Sequence, residues 1–258
     1  MTPTVDGEPV GWIALPAEAL CPTPLADTRA PRSAVTLLGA DGGLGVDAVI
    51  ATEFPLVLYR APWGSVSAGL EAGAFLRFGA GGELTFDLYT FDGLFGIPLA
   101  WAKGPWSARV AWTHLSAHYG DGVRTSGDRP TNLEAWSREQ VQVQVVRTAG
   151  PARFYGGGRV LLHSLPEASP FAVQVGSEGV GPWRVSPYGA VDLQLAAETA
   201  WVPAVSGQLG GIWQAEYAAL RVSAVGRIGP EDTGKMTGEI ERYVGLLVGF
   251  DRSSRASW

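Results

Sequence analysis

Most of the chain alternates between apolar and polar residues with a period of two. In residues 138–147, REQVQVQVVR, three valines fall on one face and three glutamines on the other. Successive side chains of a β-strand point to opposite faces, so the pattern predicts strands. Roughly twelve such segments are predicted, at 35–44, 67–78, 83–92, 91–101, from 106 onward, 138–147, 153–163, 171–176, 190–198, 206–213, 219–228 and 242–250.

The connections between these segments favour one topology. No window longer than two turns carries the apolar stripe of an amphipathic helix, and the breaks are Gly, Pro and Asp turns such as KGPW and YGDGV. Short turns join neighbouring antiparallel strands, whereas parallel strands need long crossovers. The sequence therefore predicts an all-β, antiparallel, up-and-down fold.

The two faces of the strands indicate which solvent each one meets. Only 17% of residues are charged, against 46% hydrophobic, and Lys103 and Lys235 are the only lysines. The polar faces carry Glu, Arg, Asp, Gln and His, while aromatic residues gather near segment ends. A lipid-facing apolar surface, a polar lumen and aromatic girdles are typical of outer-membrane barrels. We expect a transmembrane β-barrel of about 12 strands, with a soluble β-barrel or sandwich as the alternative.

The chain divides into an arm and a barrel. Residues 1–34 are rich in Pro, Ala and Thr and show neither period, which predicts an irregular arm at the rim or periplasmic side of a barrel formed by residues 35–258. The amino terminus lacks the basic and apolar regions of a signal peptide. Either a signal peptide has been removed and Met1 added, or the protein is not exported. The barrel pattern favours the first, with an outer-membrane location.

Several classes of function are disfavoured by composition. A net charge of −6 without a basic stripe argues against nucleic acid as a partner. The single cysteine, Cys21, allows neither an internal disulfide nor a thiolate metal cluster. The glycines of Tyr155–Arg159 precede no helical pattern, so they predict a bent strand and no phosphate site. We expect no cofactor and no bound metal.

The densest group of chemically active residues is WTHLSAHYGD, residues 112–121. His114, Ser116 and His118 share one strand face, which we expect to line the lumen, so that an active site there lies in the lumen or at the rim of the barrel. In a catalytic interpretation, His114 or His118 is the general base, Ser116 the nucleophile or a binding group, and Asp121 or Glu139 the orienting carboxylate. Positions two apart on a strand are about 6.5–7 Å apart, beyond the 2.6–3.2 Å reach of a hydrogen bond. A neighbouring strand must therefore supply a partner, with Arg138, Glu139 and Asp87 as candidates.

A structural interpretation of the same row is available. The interior of a narrow barrel must be filled by hydrogen-bonded side chains, and a His-Ser-His row with carboxylates and arginines satisfies this without catalysis. A ligand or channel site is a third possibility, with Arg138, Asp87, Arg153 and Tyr155 as predicted ligand-binding residues. Metal binding is disfavoured because His114 and His118 lie about 13 Å apart along one strand.

Several short motifs occur together in a characteristic order. They are LADTRAPR, EFPLVLYR, LEAGAFLRF, H-x-S-x-H-x-G-D at His114–Asp121, SRE at Ser137–Glu139 and RFYGGG at Arg153–Gly158. Their order and spacing over residues 22–180 resemble domain-of-unknown-function family 1207 (DUF1207), a family of Gram-negative outer-membrane-type proteins. The resemblance implies an outer-membrane barrel and no particular activity. Family members commonly have Ser, Leu and Glu where this chain has Ala117, Tyr119 and Gly122.

These observations give three ordered hypotheses for function. The first is a structural or accessory outer-membrane barrel with a largely plugged polar lumen, whose arm docks another outer-membrane or periplasmic protein. The second is an outer-membrane hydrolase of lipid acyl esters that uses His114, Ser116 and His118. The third is a small-solute pore or a ligand-binding barrel. Membrane lipid is the partner common to all three.

Overall fold

The computed structural model describes residues 4–5, 8–17, 19–40, 43–80, 86–122, 135–215, 218–231, 234 and 239–252. Met1 and the tail beyond Arg252 lie outside the described residues. Within the described part, twelve strands form the wall of a barrel. They are β1 (Ser33–Ala40), β2 (Gly43–Ala61), β3 (Gly64–Ala80), β4 (Phe86–Lys103), β5 (Trp106–Tyr119), β6 (Trp136–Ala149), β7 (Ala152–Leu165), β8 (Phe171–Val180), β9 (Val185–Ala196), β10 (Ala204–Gln214), β11 (Ala218–Pro230) and β12 (Ile240–Arg252).

The strands close into a barrel. Each strand pairs antiparallel with the next along the chain, and β12 pairs with β1, for example Val248 opposite Val35. Closure leaves no free edge in this ring, as a strand structure in lipid requires. The prediction of a twelve-stranded, antiparallel, up-and-down transmembrane barrel is confirmed. No helix of the described residues is long and apolar enough to cross a membrane.

The predicted segments differ from the strands at two places. The sequence pattern missed β2 and split β4 into two segments, so the correct total arose from two errors that cancel. Both strands contain a bulge, between Pro55 and Val57 in β2 and at Tyr89 in β4. A bulge inserts one residue and exchanges the faces of all later side chains, which interrupts the period of two.

The outer wall is apolar, and its two ends differ. At one end the connections are short, 62–63, 104–105, 150–151, 181–184 and 215–217; we call this the short-turn end. The other, the long-loop end, carries connections 81–85, 120–135, 166–170, 197–203 and 231–239, besides the short 41–42. Exposed tryptophans ring the short-turn end, as in the aromatic girdle of a membrane barrel. They are Trp12, Trp63, Trp106, Trp183 and Trp213.

The amino-terminal arm enters the barrel. Three short strands, Thr4–Val5, Glu8–Pro9 and Gly11–Ala14, come first, and the last pairs with Val57–Arg60 of β2. Residues 20–32 then lie among the inward-facing side chains of the wall. The Leu25 amide donates a hydrogen bond to Glu178 on β8, at 2.7 Å, and its carbonyl accepts one from Gln208 on β10. This segment therefore lies in the lumen, whereas the sequence predicted a position at the rim.

Side chains of the wall supply the hydrogen-bond partners of the proline-rich arm. Proline lacks an amide hydrogen and does not continue a strand ladder, so this irregular backbone needs other partners. Arg153 donates to the carbonyl of Pro22, and Gln174 and Gln194 both donate to the Asp27 carboxylate. Irregular backbone is tolerated at membrane depth only where protein or water surrounds it. The polar lumen supplies that surrounding.

Ion pairs link many of the charged side chains that face the lumen. Arg29 of the arm pairs with Asp92 of β4 at 2.8 Å, and its guanidinium carbon lies 4.2 Å from the centre of the Phe75 ring. Three wall networks link further charged side chains: Arg109 with Glu53 and Glu71, Arg77 with Asp47, Glu231 and Glu241, and Glu198 with Arg138 and Arg159. The two largest cavities described have volumes of about 130 and 320 Å³ and lie against the arm.

We predict that the intact protein does not conduct ions, because the arm and the ion-pair networks occupy the lumen. Purified protein in planar bilayers should give no stepwise conductance. Replacing Asp27 and Arg29 together with alanine removes hydrogen bonds that hold the arm and should produce intermittent openings. Steady conductance from the unaltered protein would contradict a closed lumen.

We predict that Glu178→Ala strongly destabilises the barrel. The Glu178 carboxylate is fully buried and accepts hydrogen bonds from Arg153, at 2.6 Å, and from the Leu25 amide. Removing one partner of a buried ion pair costs roughly 3–5 kcal/mol, because the other charge stays buried. The measurement is the free energy of unfolding in urea, followed by gel mobility without heating. Glu139→Ala, at a half-exposed glutamate, is the control and should change it little.

Candidate functional site

The two faces of β5 lie in different surroundings. Arg109, Thr113 and Ala117 are buried and face the lumen, whereas His114 and His118 are partly exposed on the outer wall. The prediction that the histidine row lines the lumen is therefore wrong. The reason is Arg109, whose charge lies on the opposite face and pairs with Glu53 and Glu71 inside the barrel. A charged guanidinium is far costlier in lipid than an imidazole or a hydroxyl.

Strand register brings three of the predicted site residues together. His114 lies directly opposite Glu139 of β6, and Nδ1 of the imidazole is 3.6 Å from Oε1 of the carboxylate. Ser116, two residues along the same face, lies opposite Ser137. The His114 and Glu139 side chains are 39% and 40% exposed. The pair is within ion-pair range but longer than a good hydrogen bond.

The structure describes no hydrogen bond from Ser116 to His114. Their positions on one face, two residues apart, place the two Cα atoms about 6.5–7 Å apart. Side chains that lean towards each other can close such a gap. Hydrogen bonds between catalytic groups are often long without substrate and shorten when it binds. The arrangement provides a hydroxyl, an imidazole and a carboxylate in sequence along one surface.

Two other predicted catalytic residues lie farther from this group. His118 is on the same outer face, nearer the long-loop end, with its ring centre 6.4 Å from that of Phe91. Asp121 lies past the end of β5, exposed in the turn. The structure does not place Asp121 beside His114, and Glu139 occupies the orienting position that the sequence offered to either residue.

A bulge in β7 places a third histidine, His163, on the outer wall near Glu139. In β7 the register shifts between Leu161 and His163, so Leu162 and His163 both face outward, and His163 lies opposite Glu139. The sequence predicted that His163 marks the end of the strand 153–163 and has no part in the site. The available signal was the apolar run VLL, which interrupts the alternation just before His163.

The predicted ligand-binding residues lie elsewhere. Arg153 and Tyr155 are buried on the lumen side of β7; Arg153 binds Glu178 and the arm, and the Tyr155 hydroxyl donates to Asp192 at 2.8 Å. Arg138 faces the lumen and donates to Glu198 and to the carbonyls of Leu165 and Pro166. Asp87 is half-buried near the start of β4, close to Gly122. Ligand binding by these four residues stays a prediction.

The height of Ser116 on the wall follows from strand geometry. The ten residue steps from Trp106, in the aromatic girdle, to Ser116 span roughly 25 Å along the membrane normal at ~3.3 Å per residue and a tilt of about 40°. The apolar band of such barrels is about 25 Å tall. Ser116 therefore lies near the edge of the apolar band at the long-loop end. The outward residues Phe91 and Phe95, which flank the position opposite Ser116 on β4, are apolar.

No group of three or more His, Cys, Asp or Glu side chains in the described residues is arranged to hold a metal ion. The three histidines lie on β5 and β7, separated by β6.

Comparison with protein families shows the family of the chain. The sequence profile of the family described as "Protein of unknown function (DUF1207)" matches residues 43–226, most of the barrel. The chain belongs to the DUF1207 family. This match confirms the resemblance found in the sequence motifs. A comparison with curated proteins gives no match for this DUF1207 protein.

Solved structures with a similar fold are outer-membrane proteins. Outer membrane phospholipase A from Escherichia coli has a TM-score of 0.57 and 11% identity, over 87% of the DUF1207 chain and 92% of the phospholipase. An active-site mutant of the same enzyme has a TM-score of 0.58 and 11% identity, over 86% and 90%. At this identity, the likeness shows the fold alone. It supports an outer-membrane type of barrel for the DUF1207 chain.

We predict that position 116 contacts lipid and position 117 does not. Single-cysteine variants Ser116→Cys and Ala117→Cys, each combined with Cys21→Ser, would be treated with a fluorescent maleimide in the folded state. Ser116→Cys should react, and lipids brominated near the ester group should quench its fluorescence. Ala117 is 1% exposed on the lumen side, so Ala117→Cys should stay unlabelled. The reverse labelling pattern would contradict the outward orientation of the site.

Proposed function

We propose that this DUF1207 protein is an outer-membrane barrel that hydrolyses acyl ester bonds of membrane lipids at the outer surface of its wall. The observation that carries the proposal is the position of His114, Ser116 and Glu139 on the lipid-facing side, with His114 and Glu139 in contact. Polar and ionisable groups facing lipid are costly, and where they occur they commonly have a function.

The three residues take distinct roles. Glu139 faces Nδ1 of His114, which leaves Nε2 free to accept the proton of the Ser116 hydroxyl. The serine oxygen attacks the ester carbonyl, and the imidazolium gives its proton to the departing alcohol, leaving an acyl-serine. Water, deprotonated by the same imidazole, then releases the fatty acid and restores the serine. Glu139 orients the imidazole and stabilises its charged form.

The height of the site suits this substrate. The ester groups of membrane lipids lie where the hydrocarbon layer meets the headgroups, which is the level derived for Ser116. Longer loops usually face the cell exterior in outer-membrane barrels. With that orientation, the site meets lipids of the outer leaflet, and the short-turn end faces the periplasm.

The structure alters the balance between the earlier hypotheses. A lumen plug does not explain the histidine row, because the arm and the ion pairs fill the lumen and the row lies outside. The closed lumen also disfavours a pore. Docking of another protein through the arm stays a prediction. The likeness to phospholipase A is one of fold, so the proposal depends on the side chains of this chain.

The test is hydrolysis of ester-linked phospholipid in mixed micelles by refolded protein, measured as released fatty acid. Ser116→Ala should lower the rate by on the order of 10³-fold or more, since it removes the nucleophile. Ser137→Ala is the matched control on β6, opposite Ser116, and should keep most of the activity. Heat-dependent gel mobility should be the same for all three proteins.

Two results would count against this function. The first is a wild-type protein that is folded and releases no fatty acid from any ester-linked lipid offered. The second is a Ser116→Ala variant as active as the wild type. His114→Ala should resemble Ser116→Ala, because the hydroxyl is a weak nucleophile without its base.

A further inference from the structure

Position 93 on β4 has no side chain where the register places it next to the candidate nucleophile. Gly93 lies directly opposite Ser116 on the outer wall. A Cβ atom at this position would be 3.4 Å from Ser116 Oγ and 3.7 Å from Cε1 of Phe91. The glycine backbone has no positive φ, so turn geometry does not explain the residue. Its effect is to leave open space beside the serine hydroxyl.

Two aromatic side chains border this space along β4. Phe91 and Phe95 flank Gly93 on the same outward face and are 36% and 44% exposed. The Phe91 ring lies near that of His118, and the Phe95 ring lies 6.3 Å from Trp112 in an edge-on arrangement. These contacts with β5 orient the two rings on either side of Gly93, Phe91 towards His118 and Phe95 towards Trp112. We call the gap between the two rings the Gly93 notch.

The two sides of Ser116 differ in chemistry. On the β6 side the neighbours are Ser137 and Glu139, which are polar. On the β4 side the notch continues over Ala74 of β3 to Ile50 of β2, which is 69% exposed. The wall is therefore apolar on one side of the hydroxyl and polar on the other. A substrate with an apolar chain and a polar remainder matches this division.

We propose that the Gly93 notch receives the acyl chain of the lipid ester and so determines chain specificity, an inference that rests on the proposed hydrolase function. The chain lies between the rings of Phe91 and Phe95, with its carbonyl carbon beside Ser116 Oγ. The occupant is an acyl chain because this surface faces lipid hydrocarbon. The polar part of the lipid then lies on the Ser137 side.

The experiment compares the hydrolysis of two esters by the wild type and four variants. The long-chain substrate is a diacyl phospholipid with 16-carbon chains, and the short one is p-nitrophenyl acetate, whose acetyl group needs no notch. Gly93→Leu fills the notch and should lower kcat/KM on the phospholipid by ~10–200-fold, the range for loss of a fitted apolar contact. The same variant should keep acetate hydrolysis within about threefold of wild type. Gly93→Ala should lie between Gly93→Leu and wild type on the phospholipid.

Gly189→Leu is the matched control. Gly189 also lies on the outer wall, on β9, and a Cβ there would be 3.7 Å from Cδ1 of Leu209, so the added side chain meets similar crowding far from Ser116. It should leave both activities unchanged. Phe95→Ala, which removes one wall of the notch, is a second variant in case Gly93→Leu does not fold. It should lower phospholipid hydrolysis selectively.

The outcomes separate this inference from the function on which it rests. A folded Gly93→Leu protein that hydrolyses phospholipid as fast as wild type would overturn the notch and leave the hydrolase intact. Equal loss on both esters would also overturn it, since chain specificity requires a difference between them. A wild-type protein inactive on both esters would instead remove the proposed hydrolase itself.

Discussion

Backbone hydrogen bonding in lipid is the constraint on which this structure depends. No water is available in the hydrocarbon layer, so each amide and carbonyl of the wall needs a partner strand, and the ring closes through β12 and β1. Closure creates an interior that lipid cannot reach, and the charged side chains of the strands are directed there. The irregular arm can lie at membrane depth for the same reason, since Glu178, Gln208 and Arg153 satisfy its backbone.

Against this background, the outer surface near Ser116 is exceptional. Charged side chains in the interior are buried as ion pairs, such as Arg153 with Glu178. His114 and Glu139 instead form a half-exposed pair on the side that faces lipid. Polar and ionisable groups on a surface that faces lipid are costly. Stability therefore gives no reason to place the pair there. A reaction at the boundary between hydrocarbon and headgroups does give one.

The sequence predicted the barrel because apolar residues that face lipid alternate with polar residues that face the lumen, which gives a period of two. The prediction of strands was less successful where a bulge adds one residue and interrupts this alternation. The bulge in β2 hid one strand, and the bulge in β4 divided another. The sequence supplied part of the candidate site, whose function stays a proposal. His114, Ser116 and Glu139 follow from residue type and strand order, but the face they occupy was assigned wrongly, although Arg109 on the opposite face indicated it. His163 depended on a bulge, and Gly93 on a pairing register that one strand alone does not contain.

The seam between β1 and β12 has a consequence for assembly. It joins the first and last strands of the barrel, so the ring closes only after all twelve strands have been delivered to the membrane. Residues 20–32 precede β1 directly and hold hydrogen bonds to β7, β8, β9 and β10. Those four strands come late in the chain. The partners of residues 20–32 on these strands therefore become available only after the second half of the sheet has been made, whereas Asp92 of β4, the partner of Arg29, is available earlier.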